Sequence, residues 1–304
     1  MKFKCIDKTM ITALVFVCLM MTSTAWAEGD KATQADKQPK LILQITVDAL
    51  RGDLPNRFAD VLGDGGFRYL MEQGVYYTNA HYQHANTETI VGHVSLATGG
   101  TPAAHGMVAN VWFDRELERL AYNIEDARYK LLTVGADVDQ KSEIDPTQKA
   151  AKVEGRSPDN ILTSTLSDEM AIHFAGKSKI FAVSVKDRGA VSLAGHAGKA
   201  FWFSKASGEF VTSNYYYDQY PEWINEWNAR KPAMAYSGKS WDLSHPADIY
   251  VFGNADDKAY ETDLAGFGRV FPHAYGNGDD KYFTTKLTLS PAGDELTLDF
   301  ARTL

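Results

Sequence analysis

Cysteine is almost absent. The two present, Cys5 and Cys18, both lie in the first 27 residues, so the rest of the chain has no thiol with which to form a disulfide. Stability there must come from a hydrophobic core or from bound metal rather than from cross-links. A basic excess is lacking too: 31 Lys and Arg stand against 39 Asp and Glu, for a net charge of −8. That balance argues against nucleic acid as a partner but leaves small phosphate compounds open, because those are met by local charge. No comfortable membrane span is seen either. The apolar stretch Met10–Met21 is too short for one and gives way to polar sequence, so no stable membrane association is expected.

That stretch has a different reading. Lys2, Lys4 and Lys8 precede it, and Ala25-Trp26-Ala27 follows, which is the layout of a secretory signal peptide cleaved after Ala27. The alternative is an uncleaved anchor. Export without disulfides fits a bacterial periplasm, so the protein is expected to be periplasmic or secreted. Residues 28–40 are polar and read as a flexible leader. The remaining length, with the whole chain 44% hydrophobic, supports a sizeable core in one large domain or two smaller ones.

Past the leader, Leu41–Val47 is a nearly continuous apolar run of strand length that ends on Asp48. Gly65–Gly74 reads as a helix closed by glycine, and Val75–Ala80 as a second strand. Strand, helix, strand is the order of a parallel, layered α/β sheet, which gathers ligands at the carboxyl ends of its strands. Asp48 is therefore a candidate for a metal or phosphate site; the plain alternative is a helix N-cap. Next, Asn86–Gly99 turns from a polar loop into a helix with Ile90, Val91, Val94 and Ala97 at helical spacing. Thr89 would stand in its first turn, where free N–H groups favour an anion, or it is simply the N-cap.

Met107–Asp114 is strand-like, and within it the Asn110 amide is either satisfied by backbone or aimed into a site. Residues 136–158 read as a connecting loop and Asn160–Ala175 as an amphipathic helix closed by Gly176. Lys179–Val185 is a buried strand that runs into Lys186-Asp187-Arg188. Two cations at a strand's carboxyl end make either a phosphate clamp or a surface charge cluster. Leu193–Phe203 and Glu209–Tyr217 read as hairpin strands, with His196 as a turn residue or a ligand. Residues from about 205 to 283 are aromatic-rich and turn-rich, the pattern of an inserted cap that either lines a substrate mouth or forms a satellite core. A last helix starts near Asp294.

Four ordered motifs now stand together: Val47-Asp48-Ala49-Leu50-Arg51, Thr89-Ile90-Val91-Gly92-His93, Ala109–Asp114, and Val185–Ala190 with Ala194-Gly195-His196. They resemble the alkaline phosphatase superfamily, in its zinc-dependent monoesterase branch close to the type I phosphodiesterase/nucleotide pyrophosphatases. The resemblance implies a layered α/β/α fold with a mostly parallel central sheet and an inserted cap, over residues 41–304. It also implies a phosphate-monoester hydrolase with two zinc ions and a small phosphate ester as substrate. By residue, Thr89 would be the phosphorylated nucleophile and a metal ligand, and Asp48 a zinc ligand. Asn110, Lys186 and Arg188 would bind the phosphoryl oxygens. A Lys/Arg pair favours a dianionic monoester over a diester, whose hydrolases on this scaffold characteristically lack the pair.

One departure is plain. The family's two zinc ions need further Asp and His ligands downstream of the last matched motif, and after His196 only His245 and His273 remain. The expectation is an N-terminal part of a longer enzyme, poorly active as it stands. The alternatives are a phosphodiesterase or nucleotide pyrophosphatase on the same scaffold, and a non-catalytic remnant.

Overall fold

The structure, a computed structural model, describes residues 39–304; the expected signal peptide and most of the leader lie outside the described residues. The chain divides after Val47. Residues 39–47 hold no strand, and Leu41 and Leu43 are 78% and 73% exposed, against the expected buried strand. A strand persists only where a neighbour takes up its N–H and C=O groups, and no described strand pairs with this run. The same correction applies to Val75–Ala80, which forms no ladder. Apolar content suggested both strands; pairing decides, and neither run has it.

From Asp48 onward the first regular helix of length is α1 (Gly66–Gln73), where the sequence placed it, ending on Gly74. The second, α2 (Thr89–Thr98), buries Ile90, Val91, Val94 and Ala97 and stops at Gly99, whose φ of 66° is the left-handed closure that glycine permits. The expected strand at Met107–Asp114 is shorter, β1 (Val111–Asp114), and pairs antiparallel with β2 (Arg119–Tyr122). The loop that follows contains one helical turn, Pro146–Lys149. Helix α3 spans only Leu166–His173, later in starting than the periodicity implied, because the reciprocal capping of Thr165 and Asp168 fixes its entry.

The core of the architecture is a βαβ unit. Strand β3 (Phe181–Ser184) runs into α4 (Asp187–Ala194), which returns as β4 (Lys199–Ser204), parallel to β3. The expected strand at Leu193–Phe203 thus opens on the end of a helix and a turn: Gly195, at φ 60°, ends α4 and the strand starts only at Lys199. Strand β5 (Glu209–Val211) completes an antiparallel hairpin with β4. Alternate side chains of a strand face opposite ways, and this sheet uses both faces. Ala182, Ala200, Trp202 and Val211 pack with Ile90 and Val94 of α2 and Ala190 and Val191 of α4.

Phe201, Phe203 and Phe210 face the other way, onto α5 (Glu222–Ala229), α6 (Phe283–Thr288) and α7 (Pro291–Ala301). Phe210 stacks on Phe300 at 4.3 Å, and Trp227 meets both edge-on at 5.2 Å. Such pairs contribute about 0.5–1.5 kcal/mol each beyond their burial. The aromatic-rich stretch therefore sends Trp227, Tyr275 and Phe283 into a second core. Helix, sheet, helix is the layered α/β order expected. It sets the starts of α2 and α4 side by side: a side chain added at Gly189 of α4 would come 3.8 Å from His93 Nε2 of α2.

Candidate functional site

Thr89 is the first residue of α2, with Glu88 in the N-cap position, so its hydroxyl does not cap the helix. It donates instead to Asp48 Oδ2, 3.3 Å away. The carbonyl of Thr89 accepts from His93 Nδ1 at 2.8 Å, one turn along. Asn110 is buried and its Oδ1 accepts the backbone N–H of Ile90 at 3.1 Å. With that oxygen committed, the amide turns its two Nδ2 hydrogens the other way. Its own N–H donates to Glu88 Oε2 at 2.6 Å, and its carbonyl accepts from Asn123 Nδ2 at 2.6 Å. The structure thus brings Asp48, Thr89 and Asn110 together around one helix start, where unpaired N–H groups gather.

Lys186 and Arg188 are joined elsewhere, to each other, through a residue that the sequence did not single out. Asp145 Oδ2 lies 3.0 Å from Lys186 Nζ and 3.5 Å from Arg188 Nη2. Its other oxygen accepts the N–H and hydroxyl of Thr147 at 2.9 and 2.6 Å, which makes Asp145 the N-cap of Pro146–Lys149. Thr147 Oγ1 in turn accepts from Arg188 Nη1 at 3.1 Å. Arg188 is 3% exposed, so the surface-cluster reading does not describe it; Lys186 remains half-exposed. No hydrogen bond among the described residues joins this pair to Thr89 or Asn110. They are linked through the β1–β2 hairpin, whose ends carry Asn110 and Tyr122.

Beneath the pair lies a buried ionic network. Asp187 accepts from Tyr122 Oη at 2.7 Å and from Arg156 Nε at 2.8 Å, both partners fully or nearly fully buried. Burial alone would push the Asp187 carboxyl up, but Arg156, Tyr122 and Arg188 hold it below its ordinary value. Burial likewise opposes the charge on Arg188, and Tyr122, Asp187 and Asp145 outweigh it and raise its pKa. Asp145 follows the same logic. Burial raises it, while Thr147, Lys186 and Arg188 hold it well below the usual carboxylate range.

His196 is a structural residue here, donating Nδ1–H to Asp168 Oδ2 at 2.8 Å and Nε2–H to the Ile161 carbonyl at 3.1 Å. Zinc takes three or four protein ligands. Among the described residues no group of three or more His, Cys, Asp or Glu is arranged to hold a metal, and Asp48 with Thr89 supplies two donors, so these residues alone do not fit a closed zinc centre. Asp145 was legible only as a helix cap, since Asp followed by Pro at N1 is a helix-start signature. Tyr122 and Arg156 gave no such signal.

Residues 42–267 match the family of type I phosphodiesterases and nucleotide pyrophosphatases, and the chain belongs to that family. Among curated relatives, alkaline phosphatase PhoV of Synechococcus elongatus is 33% identical over 271 residues, covering 88% of this chain and 46% of PhoV. Alkaline phosphatase PafA of Elizabethkingia meningoseptica is 30% identical over 277 residues, covering 90% of this chain and 48% of PafA. The crystal structure of wild-type PafA superimposes with a TM-score of 0.72 at 29% identity, over 88% of this chain and 49% of that one. A second PafA structure, with TM-score 0.72 at 28% identity, carries four substitutions, of a Thr, an Asn, a Lys and an Arg. The fold is therefore the α/β fold of alkaline phosphatases, and the chain spans about half the length of the curated relatives it matches.

Proposed function

We propose that the protein serves as a secreted or periplasmic phosphatase that hydrolyses phosphate monoesters through a phosphothreonine at Thr89. The observation that carries the reading is the hydroxyl of Thr89 at a helix start, bonded to Asp48 and flanked by an amide whose donors are turned free by Ile90. The substituted PafA structure adds support: its Thr and Asn are spaced as Thr89 and Asn110 are here, and its Lys and Arg as Lys186 and Arg188.

In this chemistry the Thr89 oxygen attacks phosphorus in line and the bond to the leaving alcohol breaks. The Thr89 hydroxyl, oriented by its hydrogen bond to Asp48 Oδ2, gives up its proton, and the leaving alcohol takes one up. Water then cleaves the phosphothreonine, releasing phosphate and restoring the hydroxyl. Asn110 Nδ2, Lys186 and Arg188 neutralise the charge on the non-bridging oxygens of a loose transition state. A monoester dianion draws more from two cations than a diester monoanion does, which favours the monoesterase over the diesterase reading.

Zinc is the proposed metal, with Asp48 and Thr89 as two of its donors and no completed ligand set among the described residues. Residues 1–27 are proposed as the export signal, and 205–283 as an insert within the domain. The test is Thr89→Ala in a form of the enzyme that carries a complete metal site, with 4-nitrophenyl phosphate and added zinc: turnover should disappear while inorganic phosphate still binds. Substantial residual turnover would mean that another group is the nucleophile.

A further inference from the structure

Lys186 and Arg188 meet a fixed negative charge before any substrate arrives. Asp145 places one carboxylate oxygen between the two cations and is not free to leave, because its other oxygen is pinned by the N–H and hydroxyl of Thr147. Thr147 closes the bracket by accepting from Arg188 Nη1. Tyr122 Oη, at 3.4 Å, takes a further contact on that nitrogen. What remains of the Arg188 fork is its other edge, where Nε is buried and has no partner. A guanidinium recognises a phosphoryl group best with two parallel N–H bonds, and that edge is the one left for it. The arrangement has two consequences. The guanidinium is held in one rotation, and a pair that would carry two positive charges acts with a net charge of one.

We propose that Asp145 is a positioning and specificity-determining residue of the phosphate clamp, orienting Lys186 and Arg188 and halving the positive charge they present. This rests on the reading of Lys186 and Arg188 as ligands of phosphoryl oxygens. Its effect is on discrimination as well as affinity. A dianion responds to the charge of Asp145 twice as strongly as a monoanion, so Asp145 lowers the advantage of a monoester-like anion over a diester-like one. It also keeps the product phosphate from being held too tightly.

The experiment measures, by calorimetry on the full chain at pH 8, binding of inorganic phosphate (mostly dianion) and dimethyl phosphate (monoanion). Asp145→Asn is nearly isosteric and keeps an N-cap acceptor; Asp145→Ser also keeps one and serves as the second neutral variant should the first fail to fold. Removing one nearby unit charge should tighten phosphate about tenfold and dimethyl phosphate about threefold, with a steeper salt dependence. Loss of affinity for both anions by the same factor, or no change, overturns the proposal. The double variant Lys186→Ala/Arg188→Ala separates the two readings. If it abolishes phosphate binding while the Asp145 variants do not alter selectivity, the clamp stands and the role of Asp145 falls. If it leaves binding intact, or if no variant binds phosphate, the clamp itself is wrong and both fall.

Discussion

The side-chain oxygen of Asn110 accepts the backbone N–H of Ile90 at 3.1 Å, and this contact couples stability to ligand recognition. The N–H belongs to the first turn of α2, which has no partner within the helix. Asn110→Ala leaves it unsatisfied in a buried site and should cost about 1–3 kcal/mol in urea unfolding. Asn110→Asp keeps an acceptor and should recover most of that stability without recovering phosphate binding, because it has lost the donor. Equal losses of stability in the two variants would show that the Ile90 contact does not matter.

Asp187 should be the least replaceable carboxylate. Asp187→Ala removes the buried carboxylate of Arg156 and leaves that guanidinium only the more exposed Asp137 and main-chain carbonyls. Breaking a buried ion pair from one side costs about 3–5 kcal/mol, enough to unfold many domains. Urea titration or expression in soluble form reads this directly. A loss below about 1 kcal/mol would place the network in a far wetter setting than its burial indicates.

His196 and Asp168 give stability a pH dependence of known sign. The hydrogen bond to Asp168 raises the His196 pKa above its ordinary 6.5, against burial. Its contribution is therefore complete below about 6.5 and is lost as pH rises through the higher folded value. Asp168 is opposite: burial raises it, but His196, Thr165 and Ala197 bring it well below 3.8. Its share is present above that ordinary value and fades only as pH falls through the folded one. Thermal melting of His196→Gln from pH 6 to 9 should show a flatter profile than the parent protein. An identical slope would mean that the pair does not titrate with folding.

Gly195 should tolerate no side chain. Its φ of 60° is left-handed, and an added methyl group would collide with Thr165 Oγ1 and press on the Asp168 carboxylate. Gly195→Ala should lower the melting temperature by more than the same change at Gly135, whose φ is 78° but whose surroundings are open. Equal shifts would leave only backbone strain as the cause.

Local pattern carried much of this architecture. The helix at Thr89–Thr98 was readable because its apolar residues repeat at helical spacing and Gly99 ends it. Lys179–Val185 announced β3 for similar reasons, and Asn110 stood out as an amide among apolar neighbours. What local pattern could not supply was pairing. Leu41–Val47 and Val75–Ala80 have the composition of strands yet find no partner among the described residues. Leu193 and Ala194 look like strand residues yet belong to α4, because Gly195 rather than hydropathy sets the boundary. Asp145 was hidden for a different reason: its meaning lies in cations far along the chain, and its Asp-Pro signature marks only the cap.

The most direct measurement, made on a form of the enzyme that carries a complete metal site, is the ratio of kcat/KM for 4-nitrophenyl phosphate to that for bis(4-nitrophenyl) phosphate, with and without Lys186 and Arg188. Monoesterase chemistry predicts that the Lys186→Ala/Arg188→Ala protein loses monoester turnover at least about a hundredfold more than diester turnover, because the transition-state charge these cations meet is larger in the monoester. Equal losses on the two substrates would contradict it and leave the clamp without a role in choosing between them.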